Sequence, residues 1–424
     1  MNQRLALIVL ALAAIPGGQA AAEYRFPMPE FASGYERPQM EAPPPKLTSP
    51  VVDVVLLAGL MALTAYAVLK LRSRHWVLTL MVIGLFYFGF YRKGCVCPVG
   101  ATQNVFNILI GDGAPVPLLV SIFFLLPLIF ALYFGRVFCA AVCPLGAIQE
   151  ACAVQPVQIP PTAENVLGIF AYAYLGLAML GLYTGTGFLI CRYDPFVGFF
   201  RLGGSFNMLI AGGVLLLIGI FIARPYCRFL CPYGVLLRWA SIFSRRHASV
   251  TPAGCIQCRL CETSCPYNAI KLPTPTTHPE SRRAGARRLG LRLAAMPLGI
   301  VVAGIAGMLA HPFLARLHPV VLLAERVAAE MRGDFSDVTI ESEAFHASRQ
   351  SPAELYAEAD AVRRRFRTAS AAFGVFLGLA FCGRIIRLSV IRKSADYEID
   401  RGACLSCARC FDYCPVEKPD DVTA

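Results

Sequence analysis

The chain is poor in charge. Only 16% of its 424 residues are Asp, Glu, Lys or Arg, 56% are hydrophobic, and the mean hydropathy is +0.57. Soluble domains carry about 25% charged residues, so a soluble fold is excluded and a polytopic membrane protein is indicated. Histidine is also scarce, at six residues. A bis-histidine haem takes its ligands from facing helices, whereas His311 and His318 follow one another at the end of a single apolar run; they read as interfacial residues. Neither a nucleotide-binding glycine loop nor a nucleophile with its base stands out, which leaves nucleotide-driven and hydrolytic chemistry without a motif. The net charge of +12 would suit nucleic acid. Basic residues at the cytoplasmic ends of membrane spans explain it more simply, so no nucleic-acid partner is expected.

What the chain has is cysteine, 17 in all. Secreted disulfide scaffolds are short and have little other core, and here most cysteines fall at cluster spacings. GCIQCRLCETSCP sets Cys255, Cys258, Cys261 and Cys265 in the C-x-x-C-x-x-C-x-x-x-C-P order of half a two-cluster ferredoxin. In that arrangement three thiolates hold one cubane and the fourth reaches the other cluster. The second half is CLSCARCFDYCP, with Cys404, Cys407, Cys410 and Cys414. The crossed-ligand rule gives Cys255, Cys258, Cys261 and Cys414 to one [4Fe–4S] cluster, and Cys404, Cys407, Cys410 and Cys265 to a second. Zinc more often takes two pairs of ligands. The 138 residues between Cys265 and Cys404 must then cross any membrane an even number of times.

Residues 1–22 read as a signal peptide, with Arg4 before the run Leu5 to Ile15 and small residues near Ala22. Residues 23–50 form a proline-rich periplasmic segment. Seven apolar runs follow: Val51 to Leu69, Trp76 to Tyr91, Val116 to Phe134, Val166 to Tyr183, Phe206 to Ala223, Leu293 to Ala310 and Ala369 to Gly383. The fold class expected is mainly α: a polytopic transmembrane helix bundle of about seven spans, with a split two-cluster ferredoxin-like module in the cytoplasm. Its parts are a five-span bundle at 51–250, the first ferredoxin half at 251–275, a two-span insertion at 291–390 with a periplasmic loop at 311–368, and the second half at 400–418. Both halves fall on the cytoplasmic side of a bacterial inner membrane. Arg363, Arg364, Arg365 and Arg367 run against the charge rule in the outer loop, where Phe313 to Met331 suggests a helix lying on the membrane or on a partner.

Three further stretches resemble one another: YRKGCVCPVGATQNV, FGRVFCAAVCPLGAIQE and ARPYCRFLCPYGVLLRW. The last two are C-x-x-x-C-P hooks, whose Cys139, Cys143, Cys227 and Cys231 are expected at the inner face as a third redox or metal site, or else as buried structural thiols. The first supplies Cys95 and Cys97, expected with Cys191 at the outer face, either as a metal or redox site or as a disulfide. Cys152 and Cys382 read as structural.

The hooks, followed in order by CRLCETSCP, resemble the membrane polyferredoxins of the NosR, NirI and NapH type, over about Val51 to Ile270 and the last twenty-odd residues. The resemblance implies an electron conduit to a periplasmic reductase or its maturation. NosR-like members carry a periplasmic flavin domain, for which 23–50 is too short, so flavin is expected only on a partner. The partner implied is a periplasmic redox protein or flavin-domain protein, and no substrate-converting active site is identified. Two rival readings remain: a copper reductase using the hook thiols, and a redox sensor or assembly factor for a periplasmic reductase.

Overall fold

The computed structural model describes residues 50–94, 97–110, 116–250, 255–273, 281–333, 339–348, 350–390 and 396–416. The expected signal peptide, nearly all of the proline-rich segment, and Cys95 lie outside these residues.

Apolar runs in this chain become helices because lipid offers the backbone no partner, and a helix satisfies its own N–H and C=O groups. In order come α1 (Pro50–Leu69), α2 (Arg74–Gly84) prolonged by a π-helical segment Leu85–Tyr91, α3 (Pro98–Ile110), α4 (Leu118–Phe134), α5 (Pro144–Cys152), α6 (Pro161–Leu167), α7 (Ile169–Thr184), α8 (Phe206–Gly219) and α9 (Pro232–Ile242). After a short α10 (Leu260–Thr263) come α11 (Arg282–Leu309), α12 (Pro319–Met331), α13 (Pro352–Ser389) and α14 (Arg409–Asp412). Among the described residues five helices are long and apolar enough to cross a membrane: Val51–Leu69, Arg74–Tyr91, Pro161–Thr184, Arg283–Leu309 and Pro352–Ser389. Leu118–Phe134 and Phe206–Gly219 are apolar but shorter. The run expected to reach Ala223 stops at Gly219 because the chain turns there: Arg224 takes a left-handed φ of +50° and Pro225 opens a new helix.

The insertion differs from expectation in two ways. Its last helix is 38 residues long, starts at a Ser351/Glu354 capping box and contains Arg363 to Arg367. At 1.5 Å per residue it measures about 57 Å, beyond a hydrocarbon layer of about 30 Å, so it projects from the layer instead of beginning at its edge. The amphipathic stretch ending at Met331 lies on its own chain: Ala324 and Val327 bury against Phe345, Leu355 and Ala359. α11 and α13 approach through glycine. A Cβ on Gly307 would stand 2.2 Å from the Ser370 carbonyl oxygen, and one on Gly374 2.1 Å from that of Ala303.

The two ferredoxin halves meet despite the insertion. β1 (Ile270–Lys271) pairs antiparallel with β2 (Glu398–Ile399), Ile270 opposite Ile399.

Candidate iron–sulfur and thiol sites

The two halves share one backbone design. Gln257 and Ser406, each just before the second cysteine of its half, have φ of +54° and +54°; Arg259 and Ala408, each just after it, have +65° and +59°. Left-handed non-glycine residues cost about 1–3 kcal/mol each. Here they alternate with ordinary residues and turn successive N–H groups into a concavity, the arrangement that binds anions and Fe–S centres. One such amide, Ser406 N–H, donates to Cys404 Sγ at 3.3 Å. Each loop ends in a four-residue helix, α10 or α14, and each half contributes one strand to the two-stranded ladder, so the module is a pseudo-two-fold pair.

Cys255, Cys258, Cys261 and Cys414 line a single cavity, together with Cys410, Arg72 and Tyr397. Residues 153 positions apart in sequence (261 to 414) thus face one space, and the donor set fits a cubane held by thiolates. Cys265, Cys404, Cys407 and Cys410 lie within electrostatic reach of one another, and Cys410 also within reach of Cys261. Burial pushes the Cys404 thiol up to about 12, raises Cys265 and lifts Cys410 well above the ordinary thiol range. Bare thiols so placed stay protonated; metal coordination is what deprotonates such a group.

The module is docked by a residue that sequence reading passed over. Glu150, near the end of α5, is buried and accepts from Arg74 at 3.2 Å, Arg224 at 2.9 Å, Arg409 at 3.3 Å and the Tyr267 hydroxyl at 3.1 Å. Those partners come from α2, the second hook, the second ferredoxin half and the first. Burial opposes ionisation, but the three guanidiniums outweigh it and hold the carboxyl at about 2. A signal was present in the sequence: Glu150 is the only acidic residue between Asp112 and Glu164. Its neighbour Gln149 donates to Cys227 Sγ at 3.3 Å and accepts from Tyr226 N–H at 2.9 Å, while Arg224 also donates to the carbonyls of Cys139 and Ala140. Residues 149 and 150 therefore fasten both hooks and both ferredoxin halves. Further ties are Arg228 to the Pro266 carbonyl at 3.0 Å and Arg401 to that of Ser244 at 3.0 Å.

Each hook follows the end of an apolar helix, as expected, and folds back into the bundle. The first is a buried π-helical turn, Phe138–Val142. Gly84 admits it: a Cβ there would stand 2.8 Å from the Ala141 oxygen and 3.3 Å from Val142 Cα. A Cβ on Gly89 would stand 3.3 Å from that of Pro144. α5 thus runs antiparallel to α2, with Glu150 beside Arg74 and Cys143 level with residues 84–89. Those residues lie about 15–22 Å farther along the helix at 1.5 Å per residue. Cys139, Cys143 and Cys231 are buried and Cys227 is partly so. Cys97 is half-buried and not in a disulfide, and Cys191 is exposed. Among the described residues no three His, Cys, Asp or Glu side chains converge closely enough to hold a single metal ion.

The family described as "4Fe-4S binding domain" matches residues 116–154 and 205–250, the two hooks, and a second family of that description matches 248–271, the first ferredoxin half. An uncharacterized protein of Methanocaldococcus jannaschii, MJ0750, is 31% identical over 193 residues, 42% of this chain and 76% of that protein. Protein NirI of Paracoccus denitrificans is 31% identical over 156 residues, 33% of this chain and 22% of NirI. The chain belongs to the NosR/NirI-type membrane polyferredoxins. A putative electron transport protein of Escherichia coli, YccM, is 25% identical over 187 residues, 40% of this chain and 52% of YccM. This chain thus spans about a fifth of NirI and half of YccM. No solved structure matches it. As a member of the polyferredoxins it is an iron–sulfur electron-transfer protein associated with a membrane.

Proposed function

We propose that the polyferredoxin carries electrons between two [4Fe–4S] clusters on the cytoplasmic side of the membrane and a redox partner on the periplasmic side. Cys255, Cys258, Cys261 and Cys414 hold one cluster, and Cys404, Cys407, Cys410 and Cys265 the other. Bound there, the clusters supply reversible one-electron storage at potentials their surroundings tune. The protein's own share is placement. Glu150 and its three arginines seat the ferredoxin module against the hooks, and the hooks bring thiols into the bundle. Without such a relay a layer about 30 Å thick separates the clusters from any acceptor outside. What supports the reading most is the cavity bordered by Cys255, Cys258, Cys261 and Cys414, contributed by two segments that the sequence sets far apart. Any flavin in the pathway belongs to the partner.

Proteoliposomes with ferricyanide trapped inside and an impermeant reductant outside test this reading. Trapped ferricyanide should be reduced by the wild type and at least tenfold more slowly by Cys265→Ser. Vesicles whose ferredoxin clusters are reduced but which pass no electrons inward would overturn it. A reporter active only outside should work after His346 and fail after Ile270.

A further inference from the structure

The C-P-x-G sequence occurs three times in the bundle, each time at the start of a helix. Cys231 caps α9 and its Sγ accepts the Gly234 amide at 3.3 Å. Cys143 stands in the same place before α5, where its side chain makes no capping hydrogen bond, and Cys97 stands before α3. In the two hooks the glycine is demanded by a carbonyl: a Cβ on Gly146 would stand 3.2 Å from the Cys139 oxygen, and one on Gly234 3.3 Å from the Cys227 oxygen. In the third turn the neighbour is Cys191 Sγ, 3.1 Å from a Cβ on Gly100. The 4Fe-4S binding family covers only the two hooks; Cys97 lies outside the matched residues.

The three turns converge. The first hook climbs alongside α2 until Cys143 is level with residues 84–89, and the chain reaches Cys97 just after Tyr91, where that helix ends. Cys97 consequently lies within electrostatic reach of both Cys143 and Cys231, which in turn reach Cys139 and Cys227. α3 also packs against α9, the helix that Cys231 begins. Sequence reading set Cys97 on the far face from the hooks; the fold gathers it to them. The donors are thiols, with the Asp194 carboxylate and Cys191 within electrostatic reach of Cys97, and amides and side chains donate to the sulfurs: Gly234 to Cys231, Gln149 to Cys227, and Arg136 to Cys139 at 3.8 Å. Soft thiolates select thiophilic metals, and hydrogen bonds to sulfur stabilise anionic iron–sulfur centres.

From this convergence we infer that Cys97 is a further ligand of the hook site, and that this site holds a redox centre of the iron–sulfur class inside the bundle, separate from the two ferredoxin clusters. The inference deepens the electron-carrier reading by adding a station to it.

Full-length wild type, Cys97→Ser and Cys152→Ser, purified without oxygen, would be compared for iron, sulfide and copper per chain and for the reduced spectrum. Wild type should contain iron and sulfide beyond the two ferredoxin clusters. Cys97→Ser should lose at least half of that excess while the ferredoxin signals persist, and Cys152→Ser should lose none. Full retention in Cys97→Ser, no excess in the wild type, or an excess of copper in place of iron would overturn the assignment. Should Cys97→Ser fail to fold, dibromobimane applied to metal-stripped wild type decides: a bridged peptide joining Cys97 to Cys143 or Cys231 supports the site, and a Cys97–Cys191 disulfide or singly modified Cys97 overturns it. Missing ferredoxin signals in the wild type would count against the electron-carrier reading, which these thiol measurements do not touch.

Discussion

Between α1 and α9 the apolar helices enclose Asp53, Gln103, Arg136, Gln149, Glu150, Asp194 and Arg224; among the described residues from α11 to α13 the buried polar side chains are Ser342, Ser370 and Ser389. The two regions also differ in what they show to their surroundings. The long apolar helices of the first are 33–44% buried, against 6% for α11 and 17% for α13. A polar group inside a membrane protein is costly unless partnered and tends to mark function. In the first region each such group has work: Asp53 accepts from Tyr87 at 2.9 Å and Arg92 at 2.5 Å, Gln103 links α7 to Ile190, and Glu150 gathers the module. The second region is joined by glycine, and its ion pairs, such as Arg316 and Arg363 with Glu325, lie among exposed or part-buried side chains. It lengthens the chain between the ferredoxin halves without entering their site.

The contrast breaks most sharply at Glu150. Glu150→Ala leaves Arg74, Arg224 and Arg409 without their shared carboxylate, and losing one partner of a buried charge set costs about 3–5 kcal/mol. Thermal unfolding of the purified protein should show that loss together with release of iron, whereas Ser370→Ala should show neither. Next in size, Gly307→Leu or Gly374→Leu forces a side chain against backbone and should cost about 1–3 kcal/mol. The damage should stay in the insertion, read as protease sensitivity of α11 and α13 with unchanged cluster spectra. Altered spectra would erase the distinction between the regions.

Smaller still is an effect of pH. The Glu150 carboxyl is held at about 2 against an ordinary 4.5, so its contribution is complete above 4.5 and is lost as pH falls from there through about 2. The docking of the module, followed by proteolysis near Arg401, should be constant from neutrality down to about pH 5 and weaken below. Glu150→Gln should abolish that dependence.

Spacing made the ferredoxin cysteines legible, because the chemistry of a cubane fixes intervals of two and three residues along the chain. Parity led to the expectation of an even number of crossings in the insertion, and among its described residues two helices are long and apolar enough to cross. Depth was not: a hook that follows an apolar run reads as lying at its end, and nothing local says that Gly84 and Gly89 open a slot into which Phe138–Val142 folds back. The same omission parted Cys97 from Cys143 and Cys231. Glu150 was missed for another reason, since its four partners lie 76 residues before it and 74, 117 and 259 residues after it. Only its isolation in an acid-free stretch marked it.

The central claim is that two distant half-motifs make one module with exchanged ligands, and Cys414→Ala tests it most directly. Iron content and the reduced spectrum of that variant, measured beside Cys382→Ala, should show one [4Fe–4S] cluster lost or converted and the other kept, with Cys382→Ala retaining both. Two intact clusters in Cys414→Ala would contradict the split module.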